Sequence, residues 1–504
     1  MIDYDAIVIG GGINGIAAAS MLSSKGKSVV IIEQQSELGG MAAHKREGPT
    51  AAHLLWNLNP KVIKDLGLGS ISFDDLTSVD TICVCESGNH IRVKNSGAFY
   101  LDGRVVDTDG SFRKLTNRLS KYGVLLKKLA ENAPFGTDDK LNSTQDILRL
   151  LRFGLSLKLL GKSQMRKFLQ DILMNVSDFL LDDLPDGPLA GLLSADATRG
   201  QFSGPRNPGT VFNLVYRYGH GCELTRPTKG MENFFELLVN AIKKLNVDVK
   251  THVRAEKIVI EEDAVKGVEL ADGTTVFSNT VLCSSGLNSM KKMVGISYLD
   301  IEDSRSIKNL RTMGTTAKVN LKLSKLPIFE NIKGPINDCR FIVAPSVDYV
   351  DNAFNSCKYG HFSQTPVSES VFTFRQSEFW LSSIIQFVPS KLKGGWNEDA
   401  KEHLKQVLVQ SLSAFIPSLN ELIVDFEVIT PNDFAEDLGV EGGNWHHSEM
   451  SLDQIFNLRP TPRFSAYRAG PKGLYLCGSS SHPGGDIMGL SGRNAAIRVL
   501  RNTK

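Results

Sequence analysis

Residues Ala6–Ile9 are apolar without interruption and mostly β-branched, the pattern of a strand buried on both faces. A stretch of small and helix-forming residues, IAAASMLSSKG, follows, and then a second unbroken apolar run, SVVIIE. Farther on, Phe234, Leu237, Leu238, Ala241 and Ile242 recur at helical spacing and predict a helix over 230–245. Strands are expected over 247–253, 255–261 and 265–270, with Asp272-Gly273 as a hairpin turn. A buried strand over 280–283 then ends in Ser284-Ser285-Gly286. Close to the end, 474–477 again reads as a buried strand that passes through Gly478 into a small-residue loop and a helix from about Gly489. Buried strands alternating with helices predict an α/β fold built on a parallel sheet.

The first strand–helix junction carries chemistry. Gly10-x-Gly12-x-x-Gly15 sits between them, and the second strand ends in Glu33. Gly10 permits the tight turn, Gly12 lets a pyrophosphate approach the backbone, and Gly15 lets the helix pack against the strand. The free N–H groups of Ile13 and Asn14 at the helix start then meet the phosphate charge. Glu33, with Gln34 beside it, is placed to accept hydrogen bonds from a ribose diol, and an acid there favours a ribose without a 2′-phosphate. Gly39-Gly40-Met41 provides a second close passage of backbone, as a cofactor larger than a nicotinamide dinucleotide requires. No second such glycine pattern follows a strand, so one dinucleotide is expected.

Bulk properties exclude more than they identify. The 504 residues exceed an ordinary domain, and 41% hydrophobic with 22% charged residues suits a globular protein. A net charge of +2 gives no field for nucleic acid. No apolar run reaches the roughly 18 residues needed to span a bilayer. No basic leader precedes the first strand, and the seven scattered cysteines form no C-x-x-C. These features suit a reducing compartment such as the cytoplasm. His482 and Asp486 are separated by Pro-Gly-Gly, which rules out a shared helical face, and no metal site is expected.

The spacing of Gly10, Glu33 and Gly39-Gly40 resembles that of FAD proteins of the glutathione reductase type. LYLCGSSSHPGGDIMGLSGRNAA, GGNWHHSEMSLDQIFNLRPTPRFSAYRAG, ADATRGQFSGPRNPGTVFNLVYRYGHG and AAHLLWNLNPKVIKDLGL resemble the phytoene desaturase-like FAD oxidoreductases, in the subgroup of pyridine nucleotide-disulfide oxidoreductase domain-containing protein 2. The resemblance covers most of the chain and implies a discontinuous Rossmann-type FAD-binding domain with an inserted α+β substrate domain. The boundaries expected are 1–80, 215–290 and 455–504 for the FAD domain, and 81–214 and 291–454 for the substrate domain. It implies adenine contact at Val253, a contribution from Ser285, and a lid over the flavin from Gly478, His482, Asp486, Ile487, Met488 and Gly489. Glycine is more usual in this pattern where Asp486 stands, and a carboxylate there disfavours an anionic reduced flavin. The helix start at the lid works the other way, by roughly 0.3–1 kcal/mol.

The implied chemistry is hydride transfer between flavin and an apolar, unsaturated, carotenoid- or lipid-like substrate, as desaturase, saturase or isomerase. Oxygen, a quinone or a carrier would accept the electrons. The fold also hosts amine oxidases and flavin-free lipid-binding escorts of the Rab GDP-dissociation inhibitor kind, and these remain alternatives. Candidates for polar work near the ring are His53, Arg206, His446 and His447, each of which also suits a hydrogen-bonded loop role. The stretch 147–167 is leucine-rich with six basic residues and no acid. It reads as a helix pair that caps the cavity or rests on an anionic membrane surface.

Overall fold

The computed structural model describes residues 3–42, 47–67, 76–85, 87–94, 97–134, 144–219, 224–327, 329, 339–375 and 377–502. The predicted buried strands meet in one five-stranded parallel sheet, in the order Leu474–Leu476, Val281–Cys283, Ala6–Ile9, Val29–Ile32, Asp248–Lys250. Three distant parts of the chain therefore build one sheet. Every residue of Ala6–Ile9 and Val29–Ile32 is buried, because helices cover one face of the sheet and a smaller antiparallel sheet packs with further apolar residues on the other. Helix Ile13–Ser23 runs from the glycine turn and packs against helix Leu490–Asn502 so closely that a Cβ on Gly492 would sit 1.8 Å from the Asn14 carbonyl oxygen. Helix Met231–Lys244 lies where the spacing placed it, with Phe235 buried and Leu237 only half-buried.

Strands Ala255–Glu261, Ala264–Leu270 and Thr275–Phe277 form a separate three-stranded antiparallel sheet, with Gly273 at positive φ in the turn. Residues 247–253 thus yield a shorter strand than expected, and it joins the parallel sheet instead.

A larger mixed sheet has eight strands, ordered Ile423–Ile429, Thr316–Leu323, Glu378–Gln386, Ser368–Arg375, Cys339–Val343, Asp80–Cys83, Ile91–Lys94 and Gly97–Tyr100. Strand Thr316–Leu323 alternates polar and apolar positions, yet Thr316, Lys318 and Asn320 are as buried as Ala317, Val319 and Leu321. The polar face is covered by the rest of the molecule. Helices Ser111–Ala130 and Thr210–Gly219 cross with Gly123 against Gly219, a contact that a Cβ on either would close. Helices Thr144–Leu159 and Lys162–Leu173 supply the predicted pair. Cys83 and Cys85 are buried and reduced, and Cys222 lies outside the described residues.

Candidate active site

The C-terminal ends of strands Ala6–Ile9 and Val29–Ile32 open into a cavity of about 630 Å³, within the range of small-molecule and cofactor sites. Gly10, Gly12, Ile13, Asn14, Glu33, Gln34, Gly39, Gly40, Met41, Val253, Ser285, Asp486 and Ile487 line it. So do His53, His446 and His447. Gly15 does not; a Cβ there would lie 2.0 Å from the Gly10 carbonyl oxygen, so its smallness serves helix packing. Gly12 has open space where a Cβ would stand and offers no side-chain cap to the helix it precedes. The first N–H groups of that helix are therefore available to an anion. Glu33 accepts from the backbone N–H groups of Gly11 at 2.6 Å and Gln35 at 2.8 Å, which holds its carboxylate at the cavity wall with lone pairs to spare.

The N–H of Val253 donates to the Glu33 carbonyl at 3.0 Å, and that of Ile487 to the Trp56 carbonyl at 3.2 Å, which fixes both at the cavity wall. Gly478, His482, Met488 and Gly489 do not line the cavity. A Cβ on Gly478 would meet the Ser284 carbonyl oxygen at 2.3 Å, and one on Gly489 the Val62 side chain at 2.7 Å. His482 is buried, and its Nε2 donates toward the carbonyls of Leu129 at 3.2 Å and Asn132 at 3.1 Å. Burial lowers its pKa to about 4, so it is a neutral strut between the lid and helix Ser111–Ala130. Gly484 leaves room for the fully buried Arg459, whose guanidinium donates to five carbonyls, those of His446, Ser448, Glu449, Gln454 and Ser479. Arg206 is on the surface, paired with Asp348 at 2.5 Å and Asp351 at 3.2 Å, which gives it no part in the cavity.

The mixed sheet contributes residues that the sequence reading did not single out. Lys318, Ile384 and Glu369 stand opposite one another on three adjacent strands, so their side chains share one face. Lys318 Nζ lies 2.5 Å from His53 Nδ1, and His53 Nε2 lies 2.9 Å from Glu369 Oε1. The carboxylate accepts a hydrogen bond from Nε2–H, so Nδ1 is left to accept from the lysine. Glu369 also meets Arg199 at 3.2 Å and Arg340 at 2.8 Å, and Arg340 reaches Asp196 at 2.5 Å. Burial works to raise the Glu369 pKa, but Arg199, Arg340 and His53 together hold it well below the usual range. Burial, reinforced by Lys318, pushes His53 down to about 3; burial also takes Lys318 down to about 7. The chain thus keeps a proton-exchanging amine, a neutral imidazole and a charged carboxylate in one buried line.

Trp56 is the hub of the same region. The guanidiniums of Arg217, Arg199 and Arg340 lie 4.5, 4.7 and 5.0 Å from its ring centre. Arg199 also stacks on Trp445 at 4.6 Å, and positive φ at Gly200 admits the Trp445 indole where a Cβ would not. Asp486 accepts from Asn57 at 2.6 Å and faces Arg199 at 3.8 Å. Burial tends to raise its pKa, yet Arg217, His446 and Arg199 outweigh that and keep it charged. The carboxylate is therefore compensated by guanidiniums rather than left beside the lid alone. Burial lowers His446 to about 3 and His447 to about 4.

A glycine turn, an acid at the second strand end and a cavity at the switch of a parallel sheet define a dinucleotide-binding oxidoreductase. The chain belongs to the flavin containing amine oxidoreductase family, whose model matches residues 13–500. It is 27% identical to pyridine nucleotide-disulfide oxidoreductase domain-containing protein 2 of Mus musculus, over 100% of this chain and 94% of the relative. A 4,4'-diapophytoene desaturase of Staphylococcus aureus is 22% identical over 95% of both chains. Among solved structures, cyclohexylamine oxidase from Brevibacterium oxydans superposes with a TM-score of 0.60 at 12% identity, covering 99% of each chain. The cofactor is FAD. The open space at Gly12, the uncapped helix start and the anchored Glu33 carboxylate fit its pyrophosphate and ribose.

Proposed function

We propose that this FAD-dependent oxidoreductase transfers hydride between flavin and an apolar, unsaturated, lipid-like substrate, as a desaturase, saturase or isomerase. Bound flavin supplies hydride acceptance and return; the chain binds, orients and desolvates the reacting C–H. The observation that carries this over an amine substrate is that the carboxylates near the substrate end, Glu369 and Asp486, are both already engaged by guanidiniums. Neither of these two is left for an ammonium group among the described residues, whereas Leu54, Ile384, Trp445 and Ile487 offer apolar wall. Lys318, His53 and Glu369 hold and move a proton at the wall, with His53 the member that lines the cavity. Residues 1–80, 215–290 and 455–504 form the FAD domain in this reading, and the remainder holds substrate.

The same reading places the helix pair against an anionic bilayer that delivers the substrate. Leu148, Leu151, Leu155 and Leu159 are exposed at helical spacing, and Arg152, Lys158 and Lys162 accompany them. Among the described residues no helix is long and apolar enough to cross a membrane.

Anaerobic mixing of the FAD-loaded protein with unsaturated lipids, polyenes and amines tests the substrate class. Loss of the blue flavin band with the lipids or polyenes alone is expected of a desaturase, its return on adding them to dithionite-reduced protein of a saturase, and shifted double bonds without net bleaching of an isomerase. Bleaching and peroxide formation driven by amines would replace this reading with an amine oxidase.

A further inference from the structure

The substrate end of the cavity is unusually rich in unanswered hydrogen-bond donors. Trp56 Nε1 and Arg199 Nε are buried without a partner, and both residues line the cavity. His446 belongs with them. Its Nε2 accepts from Trp445 Nε1 at 2.9 Å, so in the neutral ring Nδ1 carries the proton, and that N–H is buried and unmatched. Arg217, over the Trp56 ring, has no hydrogen-bond or ion-pair partner among the described residues although it is only 6% exposed. Burying a guanidinium without a carboxylate is costly, as is leaving buried N–H donors unmatched. Donors on Trp56, on the two guanidiniums stacked over its ring and on His446 call for an oxygen acceptor, and an ammonium group would add only more donors.

We infer that the region of Trp56, Arg199, Arg217 and His446 receives the oxygen-bearing head of the substrate, and that this head is a carboxylate. This rests on the proposed reading of an apolar substrate at the flavin and specifies it as an acid with an apolar chain. The head group answers the donors at Trp56, while the chain follows Leu54, Ile384 and Ile487. Asp486 sits nearby but is already held by Asn57 and Arg199, so it does not answer the Arg217 charge at contact distance.

Octanoate, octanol and octylamine, matched in chain length, test this on the FAD-loaded protein through flavin absorbance shifts and calorimetry. Octanoate is expected to bind about tenfold or more tighter than octanol, as a charge-assisted hydrogen bond to guanidinium provides, and octylamine weaker than both. Arg217→Met and Arg199→Met should remove the preference for octanoate while octanol binding persists, with FAD content and thermal midpoint confirming a folded variant. Equal affinity of wild-type protein for octanoate and octanol overturns the inference, and shows that the donors serve the cofactor instead. A preference that survives in both variants overturns it as well. If none of the three ligands binds to protein that carries FAD, the apolar-substrate reading falls together with the head-group site.

Discussion

The amine nitrogen of Lys318 lies 2.5 Å from Nδ1 of His53, although 265 positions separate them and both side chains are shut off from water. His53, Glu369, Arg199 and Glu427 are the charged or titratable groups that act on this lysine, and burial dominates them. Its pKa falls from an ordinary 10.5 to about 7 on folding. Between those values the unfolded chain binds the proton and the folded chain does not, so this lysine makes stability rise with pH there. Below about 7 the cost of the buried charge is fully present. Relative to Lys318→Met, wild-type protein should therefore gain thermal stability from pH 7 toward pH 9.5. Midpoints that move in parallel across that range would refute the assignment.

Glu369 is the shared anion of Arg199, Arg340 and His53 and is wholly buried. Glu369→Gln keeps its shape and removes its charge, leaving Arg340 only Asp196 and Arg199 only Asp486 as a carboxylate partner among the described residues. A loss of up to about 3–5 kcal/mol is expected in urea unfolding, the range for removing one partner of a buried ion pair. Since Glu369 also raises the Lys318 pKa, the same variant should move the lysine titration further downward.

Gly12 and Gly15 separate cofactor contact from packing. Gly12→Ala meets nothing within 4 Å in the protein, so the thermal midpoint of the FAD-free form should hold while the FAD recovered per chain drops sharply. Gly15→Ala drives a methyl into the Gly10 carbonyl and should cost about 1–3 kcal/mol of stability even without cofactor. Absorbance of released FAD and thermal unfolding of the FAD-free variants distinguish the two. If Gly12→Ala retains FAD fully, the turn does not approach the phosphates.

Leu151 and Leu155 are 64% and 55% exposed beside the basic residues of their helix pair. Co-sedimentation with vesicles containing phosphatidylserine should exceed that with neutral phosphatidylcholine vesicles, and should weaken as salt is raised. A double Leu151→Glu, Leu155→Glu variant should stay in the supernatant. Equal pelleting on both vesicle types would remove the membrane from this account.

Contiguous features were legible from residue order alone. The Gly10–Gly15 turn, the helix it opens and Glu33 at the next strand end form one short unit whose geometry depends on neighbours in the chain. Uninterrupted apolar runs likewise announce strands covered on both faces, and all of them entered the parallel sheet. The histidines at 53, 446 and 447 stood out by residue type, and the fold brings them to one cavity. Arg206 stood out equally, in a constrained loop, but that loop faces Asp348 and Asp351 on the surface.

Tertiary structure alone decided the charged half of the site. Lys318 lies on a strand whose alternating pattern reads as a water-facing polar side, because alternation reports a difference between faces and not what covers each one, and Glu369 lies among the three consecutive polar residues that open its strand. Here both faces are covered, and strand register sets Lys318, Ile384 and Glu369 in one row beneath a loop from the other end of the chain. His482 shows the converse: its sequence context pointed to the cofactor, but the ring turns away to helix Ser111–Ala130, a direction set by carbonyls more than 300 positions distant. Residue order thus determined the nucleotide turn and the strands around it, since their physics is local. The lysine–histidine–glutamate line and the donors around Trp56 arise only where remote segments desolvate one another.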